Sequence, residues 1–370
     1  MSRTFANHTL MKRFSVTFTL LLAVGACLGA QVPTGDETVP TVKLEPVSPE
    51  YKNRIGLSYL MGLNITVDFK RLGGLALSNP GSPNGSAVNR NYDNGYNRVD
   101  SSTNAGGLTW YWGYQNGNSA QGDNLSLQSY STLPTAHANN QTEDPQSGVE
   151  VFYQRELFRD KHWRLGVTAA FGYTYVSVTD SQTLKNTSYR TNDNYALGGV
   201  IAPLAPYNGT FQGPGPLISS QPSSRSTDVL VSSATVAGER SLDSDVFTIR
   251  LGPYCELPIY KRLSLMLEGG LTLAIADTKF HYNETVTISD PSNDIDLVSS
   301  KRRGTDSQTD FLVGAYAGGS LEFALTRQLS LVAGAHYQTT GQTINHLGKK
   351  ESVLDFGSSV IVSVGAIYSF

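Results

Sequence analysis

Leu354-Asp-Phe-Gly-Ser-Ser-Val-Ile-Val-Ser-Val-Gly-Ala-Ile-Tyr-Ser-Phe370 is the stretch whose reading decides the fold. Counted back from Phe370 in steps of two, it gives Tyr368, Ala366, Val364, Val362, Val360, Ser358, Phe356 and Leu354. The residues between them are mostly small or polar, among them Ser369, Gly365, Ser363, Ser359, Gly357 and Asp355. A period of two is the period of a β-strand, with one apolar and one wetter face. Such a strand left open in water is an aggregation hazard. Lipid over the apolar face, and a partner strand along the edge, remove the hazard. The stretch therefore predicts a strand of a transmembrane β-barrel.

Working outward, the same alternation recurs at Ile55, Leu57, Tyr59, Met61, Leu63, Ile65, Val67 and Phe69, the predicted first strand. Six further segments repeat it: Val149–Leu157, Trp163–Tyr175, Phe247–Leu257, Leu263–Ile275, Phe311–Leu325 and Leu329–Tyr337. The expected fold is all-β, an antiparallel up-and-down transmembrane β-barrel of eight strands. Ten strands is the alternative, because Gly107–Gln115 and Asn124–Tyr130 also alternate. The eight-strand reading places those two segments in a hairpin inside the first external loop. Connections alternate in length. Arg159–His162, Tyr260–Arg262 and Thr326–Gln328 are tight turns that all carry Lys or Arg. The others, about 71–147, 180–244, 281–309 and 345–352, are expected extracellular loops. Short periplasmic turns opposite long external loops are the pattern of a Gram-negative outer-membrane barrel.

The N-terminal region supports that address. Lys12 and Arg13 precede an apolar run, Phe14–Ala26, too short to span a bilayer as a helix. Residues 1–30 are read as a signal peptide cut after Ala30, with lipidation of Cys27 as the rival and Met11 as a second possible start. Residues 31–50, rich in proline, are read as a periplasmic linker, and 51–370 as the barrel. The 370 residues carry a formal charge of −3, which gives no sign of nucleic-acid binding. Mean hydropathy is −0.22, as expected where alternating strands and polar loops dilute the apolar face. Past the leader, Cys255 is the sole cysteine and is read as a small hydrophobe.

Charge sorting tests the register. On the expected lipid-facing set only Arg155 is charged; the opposite face carries Glu150, Arg164, Arg250, Glu256, Glu268, Glu322 and Asp355. A Lys or Arg on the lipid face at the midplane costs about 2–4 kcal/mol. Aromatics mark two expected boundaries: Phe69, Tyr175, Phe247, Phe311, Tyr337 and Phe356 externally, and Trp163, Phe323, Tyr368 and Phe370 on the periplasmic side. An eight-stranded barrel is narrow enough to be filled by side chains, so its inward charges must pair. The expected lumen network is Arg164, Arg250, Glu256, Glu268, Glu322 and His336, with Tyr254 and Tyr316. It reads either as mutual satisfaction of neighbours or as a charge-pair gate on a narrow water path.

No nucleophile elbow, phosphate loop or metal-ligand spacing is evident, so no catalytic residue, cofactor or metal is expected. His281 and His336 are the rim histidines an enzyme would use, and Lys301-Arg302-Arg303 is a candidate contact for lipopolysaccharide phosphates.

Ser363, Gly365, Tyr368 and Phe370 match the pattern polar, spacer, glycine, two spacers, aromatic, spacer, aromatic. This ending resembles the assembly signal of outer-membrane proteins and implies the barrel-assembly machinery as a partner. The body resembles the small OmpA-transmembrane-domain, OmpX and OmpW class by architecture. Gly56–Asn64 and Leu251–Tyr254 are similar to uncharacterised barrel proteins of the Verrucomicrobia group. The functional expectation is a non-catalytic structural or surface-interaction role. A narrow porin-like channel for small solutes is second, and a lipid-modifying or proteolytic enzyme third.

Overall fold

The computed structural model describes residues 51–101, 105–293, 295–299 and 301–370. The expected signal peptide, Cys27 and the linker 31–50 lie outside the described residues. No α-helix occurs among the described residues, and every strand pairing is antiparallel. The largest sheet has 13 strands. Within it we label β1 (Asn53–Leu63), β2 (Gln146–Arg159), β3 (Arg164–Asp180) and β4 (Ser224–Tyr260). Then come β5 (Leu263–Asp290), β6 (Arg302–Ala324), β7 (Leu329–Thr339) and β8 (Ser359–Ser369). Each pairs with the next, and β8 pairs back onto β1, so the ladder makes a closed circuit.

The seam between β1 and β8 is tight. Gly365 lies opposite Ser58, and a Cβ on Gly365 would sit 2.2 Å from the Leu57 carbonyl oxygen. The glycine of the terminal pattern thus permits the close approach that shuts the circuit. Asn53 and Phe370 exchange backbone hydrogen bonds at its lower end. Inside, Phe152 packs over Gly56, filling space that any side chain there would take.

Outward residues of the circuit are apolar and exposed over one band, including Leu57, Val151, Phe171, Leu251, Leu271, Val313 and Leu331. From Leu265 to Ile275 the band spans eleven residues of β5, about 25 Å of height at a strand tilt of about 40°. Tyr173 and Tyr175 end it at one rim, donating hydrogen bonds to Asp245 (2.6 Å) and Asp243 (3.0 Å). Tyr368 and Phe370, with ring centroids 6.4 Å apart, lie at the other end with the short turns.

Above the band the strands continue, and here the structure departs from the sequence reading. β4 runs for 37 residues and β5 for 28, so much of the expected loop residues 180–244 and 281–309 is strand. Leu184–Ala196 pairs with the upper part of β4 and with Asn124–Thr132. The expected hairpin of Gly107–Gln115 with Asn124–Tyr130 does not form. Leu108–Thr109 pairs with Ile218–Ser219, and Trp112–Tyr114 pairs with Gly95–Asn97 and Tyr207–Asn208. The predicted first strand also breaks. Asn64 adopts a left-handed φ of 58°, and Thr66–Leu72 leaves the circuit to join a sheet with Ala136–Gln141 and Lys350–Asp355.

That sheet seals an apolar core between the upper strands, containing Val67, Phe69, Val178, Val236, Leu242, Phe280 and Ile288. Phe69 and Phe280 stack with centroids 5.8 Å apart. Phe69 and Phe356, expected on the lipid side, are buried in this core. Period two shows that a face is apolar but not whether lipid or protein covers it. A second cluster packs Trp112 and Tyr114 of a smaller sheet against Leu125, Leu127 and Tyr195 at the far end of the large one.

Candidate functional site: the charged lumen

Inward residues of the circuit form two charged layers. In the upper one, Arg250 of β4 donates to both carboxylate oxygens of Glu150 on β2, with contacts of 2.7 Å, and to Glu268 of β5 at 3.3 Å. Small neighbours make room: Arg250 lies opposite Ala170 and Glu150 opposite Gly172. The guanidinium sits 4.6 Å from the centroid of the Tyr316 ring, which meets His336 edge-on at 5.9 Å.

In the lower layer Arg54 of β1 bridges two carboxylates, Glu256 at 2.6 Å and Glu322 at 3.0 Å. Arg164 adds a contact to Glu256 at 3.2 Å. Arg54 is 1% exposed and Glu256 2%, so water does little to screen the pair. A charge in this setting is tolerable only while its partners stay in place.

All six residues expected in the lumen network face inward. Arg250 and Glu268 meet in the upper layer, where His336 contacts the Tyr316 ring. Arg164, Glu256 and Glu322 meet in the lower layer through Arg54. The sequence reading missed Arg54, the hub of that layer. It precedes Ile55 in the alternation and so shares the inward face with Gly56 and Ser58; that parity was the available signal. Asp355, expected inside, is exposed and accepts the Gly357 backbone N–H at 2.6 Å in a turn. The alternation runs back to Leu354, five residues before β8 begins at Ser359.

The geometry decides what the lumen can do. Two pockets flank the Arg250–Glu150 pair, of about 20 and 30 Å³, and both residues line each of them. Each has room for about one water molecule. Carboxylates clasped by guanidinium groups are poor general bases. No group of three or more potential metal ligands occurs among the described residues. His281, the other rim histidine, is bonded to Thr305 at 2.9 Å on the outer surface. Arg302 of the basic run donates to the Gly74 carbonyl at 2.6 Å.

No protein-family model and no curated protein matches the chain. Among solved structures, the attachment invasion locus protein Ail of Yersinia pestis, in complex with the heparin analogue sucrose octasulfate, is 9% identical. That match covers 86% of this chain and 99% of Ail, with a TM-score of 0.26. The outer membrane protease OmpT from Escherichia coli is 11% identical over 87% of this chain and 98% of its own, with a TM-score of 0.30. A Pseudomonas aeruginosa FadL homologue is 11% identical over 86% and 90%, with a TM-score of 0.17. Likenesses this distant carry no statement about activity or ligand.

Proposed function

We propose that the chain is an outer-membrane β-barrel of eight spanning strands whose role is to hold a stiff, β-rich body at the cell surface for interaction, without catalysis or conduction. This strand number is that of the small OmpA- and OmpX-type barrels, whose interiors are filled by side chains. The observation that carries the reading is the continuation of the lumen-lining strands, above the apolar band, around a second core with apolar residues inside. A pore has no use for such a plug, whereas a surface platform needs its rigidity. The closed charge layers support the same reading. So does the tip segment near residue 200, where Ile201 is 90% and Leu204 94% exposed. Clustered exposed apolar residues mark interaction surfaces more often than chance. Lipopolysaccharide and the barrel-assembly machinery are the envelope partners in this proposal.

Planar-bilayer recording tests it. The folded protein is expected to add no stepwise conductance above the bare membrane. Reproducible unit steps from the wild-type protein would overturn the reading in favour of a channel.

A further inference from the structure

The basic residues that recur in the three tight turns have no part in the role above, yet they converge. A cavity of about 380 Å³ opens at the turn end of the barrel, and Arg159, Lys161, Arg164, Lys261, Arg262 and Arg327 line it. Three carboxylates also line it, Asp160, Glu256 and Glu322. Two of those are already committed: Glu256 to Arg54 and Arg164, and Glu322 to Arg54. Arg159 is clasped by Glu156 at 2.6 Å. Among the described residues Lys161, Lys261, Arg262 and Arg327 have no ion-pair partner. Arg262 reaches only the Leu325 carbonyl, at 3.5 Å, and its Nε is buried without a hydrogen-bond partner.

A buried N–H of a charged group is costly unless an acceptor meets it. Several cations around one concave space also focus a positive potential. Both features call for a multiply charged anion with several acceptor oxygens. We infer that this mouth is a binding site for a phosphate-bearing ligand. The fork of Arg262 and the ammonium groups of Lys161 and Lys261 take its oxygens, and Arg327 closes the ring. The volume exceeds that of one phosphate and suits a phosphorylated small molecule or a phospholipid headgroup. That the mouth faces the periplasm rests on the outer-membrane reading; the anion site itself does not.

Calorimetric titration of pyrophosphate into the folded full-length protein, in nanodiscs of zwitterionic lipid, tests the site. Saturable binding that weakens with salt is expected. The variant Lys161→Gln/Arg262→Gln/Arg327→Gln is expected to weaken it by roughly tenfold or more. Lys70→Gln/Arg71→Gln, which removes two cations from the external body, is expected to leave it unchanged. A difference in gel mobility between heated and unheated samples shows that each variant is folded. Should the triple variant not fold, Lys161→Gln and Arg327→Gln, both at exposed positions, are read singly, each with weakened binding expected. Absence of pyrophosphate binding to folded wild-type protein, or undiminished binding by the folded variants, overturns the proposal. Repeating the titration in nanodiscs containing phosphatidylglycerol distinguishes the sources. Competition by that lipid assigns the site to headgroup phosphate, and its absence to a soluble ligand. Failure of the outer-membrane reading would instead appear as a missing heat shift.

Discussion

The lower and upper halves of β5 follow one period-two pattern with opposite chemistry. Below, Leu267, Leu271, Leu273 and Ile275 point outward and are exposed, while Met266, Glu268 and Thr272 point inward. Above, Asp277, Lys279 and His281 point outward, and Ala276, Phe280, Val286 and Ile288 are buried inside. The switch falls between Ile275 and Asp277. β4 repeats it: Leu251, Ile249 and Phe247 give way outside to Asp245 and Asp243, while Arg250 gives way inside to Val246 and Leu242. A strand keeps its geometry and changes its sorting because the medium outside it changes. Against lipid, apolar side chains face out and the narrow interior must hold polar groups; against water the ordinary order returns. Backbone ladders run through both halves; inside them the lower half is filled largely by ion-paired side chains and the upper half by an apolar core.

The comparison breaks first at its two hubs. Arg54→Ala leaves Glu322 buried without its cation and weakens the hold on Glu256, which is expected to cost about 3–5 kcal/mol. Phe280→Ala removes a fully buried ring from the upper core, with an expected cost of about 3–5 kcal/mol. The readouts should separate. Arg54→Ala lowers the urea midpoint of the heat-sensitive gel shift, which reports the barrel. Phe280→Ala leaves that midpoint close to wild type but opens the upper strands to protease. Loss of both signals together in either variant would mean that the halves are one cooperative unit.

A smaller effect tests where the switch lies. Leu271→Lys sets a charge on the outer face in the middle of the band, at an expected cost of about 2–4 kcal/mol in lipid. Lys279→Leu, eight residues further along the same face, is expected to change stability by less than about 0.5 kcal/mol. Folding equilibria into lipid vesicles in urea measure both. Equal costs for the two would remove the lipid boundary from between them.

The alternation that shows the barrel in the sequence is also what conceals the upper body. In Leu57, Val151 or Leu273 an apolar residue every second position predicts the outward face correctly, because polar lumen residues lie between. Past the switch the apolar residues move to the other parity. Asp277, Lys279 and His281 then look like loop, although Phe280, Val286 and Ile288 continue the strand. Phe69 and Phe356 fail for a related reason: each continues the apolar parity of a barrel strand past a turn, at Asn64 and at Gly357, where the chain leaves the circuit. The lumen residues were legible through charge and parity. Their pairing was not, since Arg54 lies 202 positions from Glu256 and 268 from Glu322 and meets them only because the circuit closes.

The smallest expected effect concerns pH and belongs to the upper half alone. Asp290 is buried at the end of β5, outside the apolar band. Burial by itself would raise its carboxyl pKa. Hydrogen bonds from Ser292, Asn293, Tyr130 and Arg190 outweigh that and hold it well below the ordinary aspartate value. A carboxyl whose pKa is lower folded than unfolded binds its proton more weakly in the native state. Its stabilising contribution is therefore complete above the unfolded value of about 3.9 and is lost as pH falls below it. Arg190 also holds Asp228 of β4 at 2.7 Å, so protonating Asp290 loosens the tie between β5 and the strand Leu184–Ala196 while the tie of that strand to β4 remains. Proteolysis of the upper body by an acid-active protease is expected to accelerate as pH falls from about 4 towards 2, with barrel gel mobility unchanged. Asp290→Asn removes the titrating group, so it should flatten Asp290's share of that dependence and raise the baseline cleavage at neutral pH. A variant with the full wild-type acid response would show that other carboxylates of the upper body govern it.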